Sequence, residues 1–141
     1  MKKGIKVALI IIVIAIVGTA LLLVMGSENL EMESTNINST NNITEAEEIA
    51  DAQNKDVFVL FTSDTCTWCD KLKSDTLSDE KVIEKINKYY VTAVVDIDKQ
   101  PDVANAYHAV ATPVIVLLDS NGTEKARLNG YYGPAELLEY I

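Results

Sequence analysis

The sequence predicts an α/β domain with a central mixed β-sheet flanked by helices, preceded by one N-terminal transmembrane helix. Three observations carry this expectation. Short apolar runs rich in β-branched residues alternate with stretches of helical periodicity, the pattern of parallel strands joined by crossover helices. Asp119-Ser120-Asn121-Gly122, between two later runs, is a hairpin turn signal that adds antiparallel pairing. Val7–Met25 is nineteen residues without a charge. As a helix it is about 28 Å long, close to the roughly 30 Å hydrocarbon core of a bilayer.

The ends of the chain come first. Residues 1–6 are a basic N-terminus carrying Lys2, Lys3 and Lys6. Residues 7–25 are expected as an uncleaved signal anchor. The run exceeds a signal-peptide core of about 7–15 residues, and Leu23–Ser27 offers no small-x-small cleavage pattern. A cleaved signal peptide is the competing reading. Lysines before the span keep the N-terminus in the cytoplasm and place the rest outside, where disulfides persist. Residues 26–43, rich in Ser, Thr, Asn and Glu, are expected as a flexible polar linker. Residues 44–141 form one domain, long enough for a single core.

Within that domain, Thr44-Glu45-Ala46-Glu47 reads as a capping box opening a helix to about Asn54. Val57–Thr62 is a continuous apolar run and so a buried strand. A helix follows to about Thr76. Ser78 or Asp79 caps another over Glu80–Lys88, whose Val82, Ile83 and Ile86 share a face. Tyr90–Ile97 is the second buried strand. Pro101 opens a helix through Tyr107. Val114–Leu118 and Thr123–Leu128 are the hairpin strands. Pro134 opens the last helix, with Leu137, Leu138 and Ile141 on its apolar side.

Charge narrows the function classes. The chain carries −9, and with its three lysines before residue 7 the remainder carries −12. Such a surface argues against nucleic-acid partners and anionic lipid headgroups.

The chemistry lies in Cys66-Thr67-Trp68-Cys69, directly after the first buried strand. These are the only two cysteines. A cysteine at a helix N-terminus meets free N–H groups and the positive end of the macrodipole, which favour its thiolate. The thiolate is the attacking species in disulfide exchange. Other readings compete. A zinc site needs four ligands, and His108 is the only histidine. A structural disulfide closing so small a loop stabilises by only about 2 kcal/mol. A partner-binding module with an incidental dithiol is the third.

The order of elements, the C-x-x-C after the first core strand and Val110-Ala111-Thr112-Pro113 before the third resemble the thioredoxin family. So do the acidic strand end Val95-Asp96-Ile97-Asp98, the approach Asn105-Ala106-Tyr107, and Gly130 before the last helix. Thr76-Leu77-Ser78-Asp79 resembles extracytoplasmic members that work beside membrane electron carriers. The resemblance spans nearly all of residues 45–141.

It implies a thioredoxin-like fold and roles for single residues. Cys66 is the expected nucleophile and Cys69 the resolving thiol. Pro113 is the expected cis-proline, leaving the Thr112 backbone free to pair with an extended substrate, with Gly130 flanking that groove. Against these stand an ordinary trans proline and a plain turn glycine. Trp68 is either an exposed contact for partner polypeptides or a ring packed over loop residues. Thr67-Trp68 matches none of the familiar inner pairs, so the direction of electron flow does not carry over. Leu60 stands where thioredoxins carry a buried Asp. Asp64 and Asp70 flank the motif and oppose the dipole, while Lys71 and Lys73 oppose them. His108 reads as a helix-end surface residue.

The expected function is thiol–disulfide exchange with protein thiols and disulfides outside the cytoplasm, as a reductase fed by a membrane electron carrier in preference to an oxidase or isomerase, both of which stay open. The dithiol is the redox centre, so no cofactor or metal is expected. A monomer anchored by its N-terminal helix is expected. The alternative is a non-catalytic adaptor holding a partner polypeptide at the Pro113 groove.

Overall fold

The computed structural model of the chain describes residues 35–141 and the short strand Leu30–Glu31. The expected basic N-terminus and the span Val7–Met25 lie outside the described residues. Among the described residues no helix is long and apolar enough to cross a membrane.

The elements are β1 (Leu30–Glu31), β2 (Asn38–Thr40), α1 (Ile43–Gln53), β3 (Asp56–Thr62), α2 (Thr67–Lys71), a π turn (Leu72–Thr76), α3 (Glu80–Tyr89), β4 (Tyr90–Asp96), α4 (Pro101–Ala106), β5 (Val114–Leu118), β6 (Glu124–Asn129) and α5 (Pro134–Leu137). The strands lie in the order β1-β2-β4-β3-β5-β6. Central β3 runs parallel to β4 and antiparallel to β5, and β6 is antiparallel to β5. The mixed sheet read from the sequence is present. The parallel pair follows from the helical crossover between β3 and β4, and the antiparallel edge from the hairpin.

Strand alternation sends side chains to two cores. Val57, Val59 and Phe61 pack with Ile43, Ala46 and Ala50 of α1 and Ala104 of α4. Phe58 and Leu60 pack with Leu72 and Leu77 around the π turn, Val82 and Ile86 of α3, and Leu137 of α5. The sheet is therefore covered on both faces.

The boundary expected at residues 43 and 44 falls earlier. Part of the supposed linker is β2, which pairs parallel to β4 through Ser39↔Thr92 and Thr40↔Ala93. Ile37 beside it is 2% exposed. One apolar residue among polar ones has no periodicity to read. Its strand character comes from the β4 edge, which offers unpaired N–H and C=O groups.

The first helix also starts differently. Its cap is Asn42, whose side chain accepts from the Glu45 N–H at 3.3 Å. Thr44 lies inside the helix, and the Glu45 carboxylate takes the Thr40 hydroxyl instead of closing a box. Asp79 caps α3 as expected, accepting from the N–H groups of Lys81 and Val82.

Candidate functional site

The site forms where β3 gives way to α2. The intervening loop is built from small polar residues that bond to their own backbone. The Cys66 N–H donates to Ser63 O at 3.2 Å, and the Thr65 N–H approaches Ser63 Oγ at 3.4 Å. Ser63 Oγ in turn donates to Asp98 Oδ2 at 2.6 Å, tying the loop to the segment after β4.

Cys66 is the N-cap of α2, with extended backbone at φ −94° and ψ 98°. Its Sγ accepts from the Cys69 N–H at 3.1 Å. The carbonyl of Cys66 receives the N–H groups of Cys69 and Asp70 at 3.0 and 3.1 Å. A sulfur held this way shares an N–H of the helix's first turn with the Cys66 carbonyl, at the helix end where negative charge is stabilised. Cys66 is half-buried, whereas Cys69, one turn on, is fully buried. The two are joined as a disulfide with Cα atoms 5.2 Å apart.

Charges around the motif find partners away from it. Lys99 Nζ bridges Asp64 at 2.8 Å and Asp96 at 2.9 Å. The two carboxylates raise the Lys99 ammonium above its ordinary range. Burial pushes the Asp96 carboxyl up, but Lys99 and the N–H groups of Asp98 and Lys99 outweigh it and leave the group below its ordinary value. Lys71 pairs with Asp75, and their mutual hydrogen bond raises the ammonium and lowers the carboxyl. Asp64 and Lys71 thus reach the dithiol mostly neutralised. At Leu60 the structure holds an apolar side chain, fully buried between Val94 and Ile115.

Register brings two more segments to this end of the sheet. Phe61 pairs with Val114, and Val114 with Asn129, so Pro113 and Gly130 stand just beyond the strand end that leads to Cys66. The Thr112-Pro113 bond is cis. Thr112 makes no backbone hydrogen bond among the described residues. The Gly130 N–H donates to Pro113 O at 2.8 Å. Gly130 has φ +91°, and a Cβ there would meet open space. Its glycine is required by backbone conformation, not by crowding.

Trp68 is exposed and also packs against a neighbouring loop ring. It is 58% exposed, and its ring lies 5.8 Å from that of Tyr131 at 45°. Tyr131 also carries Lys71 Nζ at 5.3 Å from its ring centre. The sequence reading passed over Tyr131, although an aromatic residue directly after Gly130 was a usable signal. Val110, two residues before Thr112, is 86% exposed. His108 is exposed at the end of α4 with φ +54°, the helix-end position expected of it.

Residues 43–141 match the thioredoxin-like domain family. The thiol:disulfide interchange protein DsbD of Campylobacter jejuni is 27% identical over 105 residues, covering 72% of this chain and 18% of that protein. The spermatogenesis-associated protein 20 of Rattus norvegicus is 30% identical over 63 residues, covering 45% of this chain and 8% of that protein. The chain thus spans less than a fifth of the length of these relatives. Among solved structures, a thioredoxin from Thermus thermophilus superposes with a TM-score of 0.68 at 28% identity, covering 75% of this chain and 85% of its own. A DsbH oxidoreductase superposes with a TM-score of 0.65 at 21% identity, covering 82% and 91%, and shows the fold alone.

Proposed function

The chain belongs to the thioredoxin-like domain family, and on that premise we propose that it exchanges disulfides with protein substrates through Cys66 and Cys69. The observation that carries this is the asymmetry of the pair. Cys66 is accessible and caps a helix with its sulfur on the Cys69 N–H, while Cys69 is sealed beneath it. An accessible sulfur stabilised as thiolate is suited to attack, and a buried one to resolve.

As a reductase, the Cys66 thiolate attacks a substrate disulfide and forms a mixed disulfide, releasing one substrate sulfur as thiolate. Cys69, as thiolate, then attacks Cys66 Sγ. The Cys66–Cys69 bond forms, the bond to substrate breaks, and the second substrate sulfur leaves with the electron pair and takes up a proton. The unpaired Thr112 backbone beside cis-Pro113 offers strand-like bonds to the substrate segment, with Gly130 and exposed Trp68 at the rim of that groove. Electrons come from a membrane carrier. The domain is held outside the cytoplasm by residues 7–25, a reading supported by the uncharged run and the lysines before it.

Insulin reduction driven by dithiothreitol tests the reaction. Cys66→Ser is expected to abolish the rate above background, and a rate equal to wild type refutes catalysis. Cys69→Ser is expected to accumulate mixed disulfides through Cys66. Capture of partners without any mixed disulfide would favour the adaptor reading, in which the Pro113 groove holds a polypeptide non-covalently.

A further inference from the structure

Trp68 is the only tryptophan in the chain and stands between the two cysteines. At 58% exposed, it offers much of its surface to solvent. An exposed indole on the first turn of a helix is free to change rotamer unless something packs against it. Tyr131 does so. The ring centroids are 5.8 Å apart and the planes meet at 45°, within the range of favourable aromatic pairs.

Tyr131 is itself held by its neighbours. Trp68, Lys71 and Asp75 follow one another at three and four residues, so α2 and its π turn present them along one side. Lys71 Nζ lies 5.3 Å from the centre of the Tyr131 ring, a cation over an aromatic face. The Tyr131 hydroxyl points to Asp75 Oδ2 at 3.5 Å, and Asp75 pairs with Lys71. The backbone is tied on either side as well. The Gly130 N–H donates to Pro113 O at 2.8 Å, and Tyr132 O accepts from the fully buried Thr76 hydroxyl at 2.7 Å. Tyr131 therefore stands between two anchors, one on the cis-Pro113 loop and one on the π turn that continues the dithiol helix.

From these contacts we propose that Tyr131 is a positioning residue for disulfide exchange, holding the Trp68 indole in place at the rim of the groove before a substrate arrives. This deepens the exchange reading and rests on it, since Trp68 is there a contact for the substrate polypeptide. A rim side chain ordered in advance loses less freedom when the substrate binds, so the gain is in affinity. Cys66 and Cys69 carry the sulfur chemistry, and Tyr131 takes no part in it. Its removal therefore falls on KM for a polypeptide substrate and spares kcat. The ring does the holding, because the hydroxyl contact is long for a hydrogen bond.

The test combines insulin reduction by the full chain at saturating dithiothreitol with the fluorescence of Trp68, which is free of any other tryptophan signal. Tyr131→Ala is expected to raise KM for insulin roughly threefold to tenfold with kcat within about twofold of wild type. In the oxidised protein the same variant is expected to lower the anisotropy of Trp68 and increase its quenching by acrylamide. Tyr131→Phe is expected to restore KM and fluorescence together. Tyr131→Leu supplies a variant that lacks the ring but fills the space, should the alanine not fold. If Tyr131 acts through the indole, Tyr131→Ala adds nothing to KM in a Trp68→Ala background. A further rise there would mean that Tyr131 meets the substrate directly or acts on stability, and overturns the proposal. So does an unchanged KM in Tyr131→Ala while wild type is active. A wild type inert towards insulin refutes the exchange reading instead. Fluorescence then decides the holding of Trp68 alone, and anisotropy equal to wild type in Tyr131→Ala overturns it.

Discussion

On one face of β3, Val57, Val59 and Phe61 are buried to the last residue, and Phe61 ends against the Tyr107 ring at 5.6 Å. On the other, Phe58 and Leu60 are equally buried, but the series ends on Thr62, whose hydroxyl has no partner. The same strand therefore closes one core with an aromatic ring and the other with a hydroxyl that finds no partner among the described residues. The first ending serves stability alone. The second gives up some stability at the strand end that leads to the dithiol loop.

The sharpest test of that division is Phe61→Ala. Removing a fully buried ring should cost about 3–5 kcal/mol in urea unfolding while leaving the dithiol–disulfide equilibrium near wild type. If Phe61→Ala moved the equilibrium roughly tenfold, the core and the dithiol would not be separable.

A smaller effect is expected at His108, on the structural side beyond Tyr107. Its φ of +54° is unfavourable for a residue with a Cβ. His108→Gly should raise stability by about 0.5–1 kcal/mol, the relief of left-handed strain less glycine's greater unfolded entropy. A loss of stability in thermal or urea melts would mean that the side chain holds the loop before Pro113.

The smallest effect belongs to Asp96, beside Thr62. Its folded carboxyl lies below the ordinary value, so it stabilises the fold above the unfolded carboxylate range and ceases to do so as pH falls through the lowered value. Asp96→Asn should cost up to about 0.5 kcal/mol at pH 7, a cost that shrinks as pH falls below the ordinary carboxylate range. A difference independent of pH would place the effect in packing instead of charge.

Much of the fold was legible because its signals are local. The continuous apolar run Val57–Thr62 marks a strand, Asp79 marks a helix start, and Asp119–Gly122 marks a hairpin. β2 was not legible, since its strand state is conferred by β4. Within the site, Cys66 and Cys69 declared themselves by spacing. Tyr131 did not, because its role depends on a ring 63 positions earlier in the chain. Among the charges nearest the motif, Asp64 is held by Lys99 from across the sheet end, a pairing that no local pattern shows.

The sequence by itself determined the alternation of strands and helices, the dithiol at a helix start and the apolar residue at position 60. Periodicity, capping and composition act over a few residues and can be read there. Only the tertiary structure decided that Cys69 is sealed while Cys66 is not, that Pro113 and Gly130 join the same sheet end, and that Thr62 is left unpaired. Those outcomes depend on which surfaces meet when the sheet assembles, and hydrogen-bond satisfaction is settled only once every neighbour is in place.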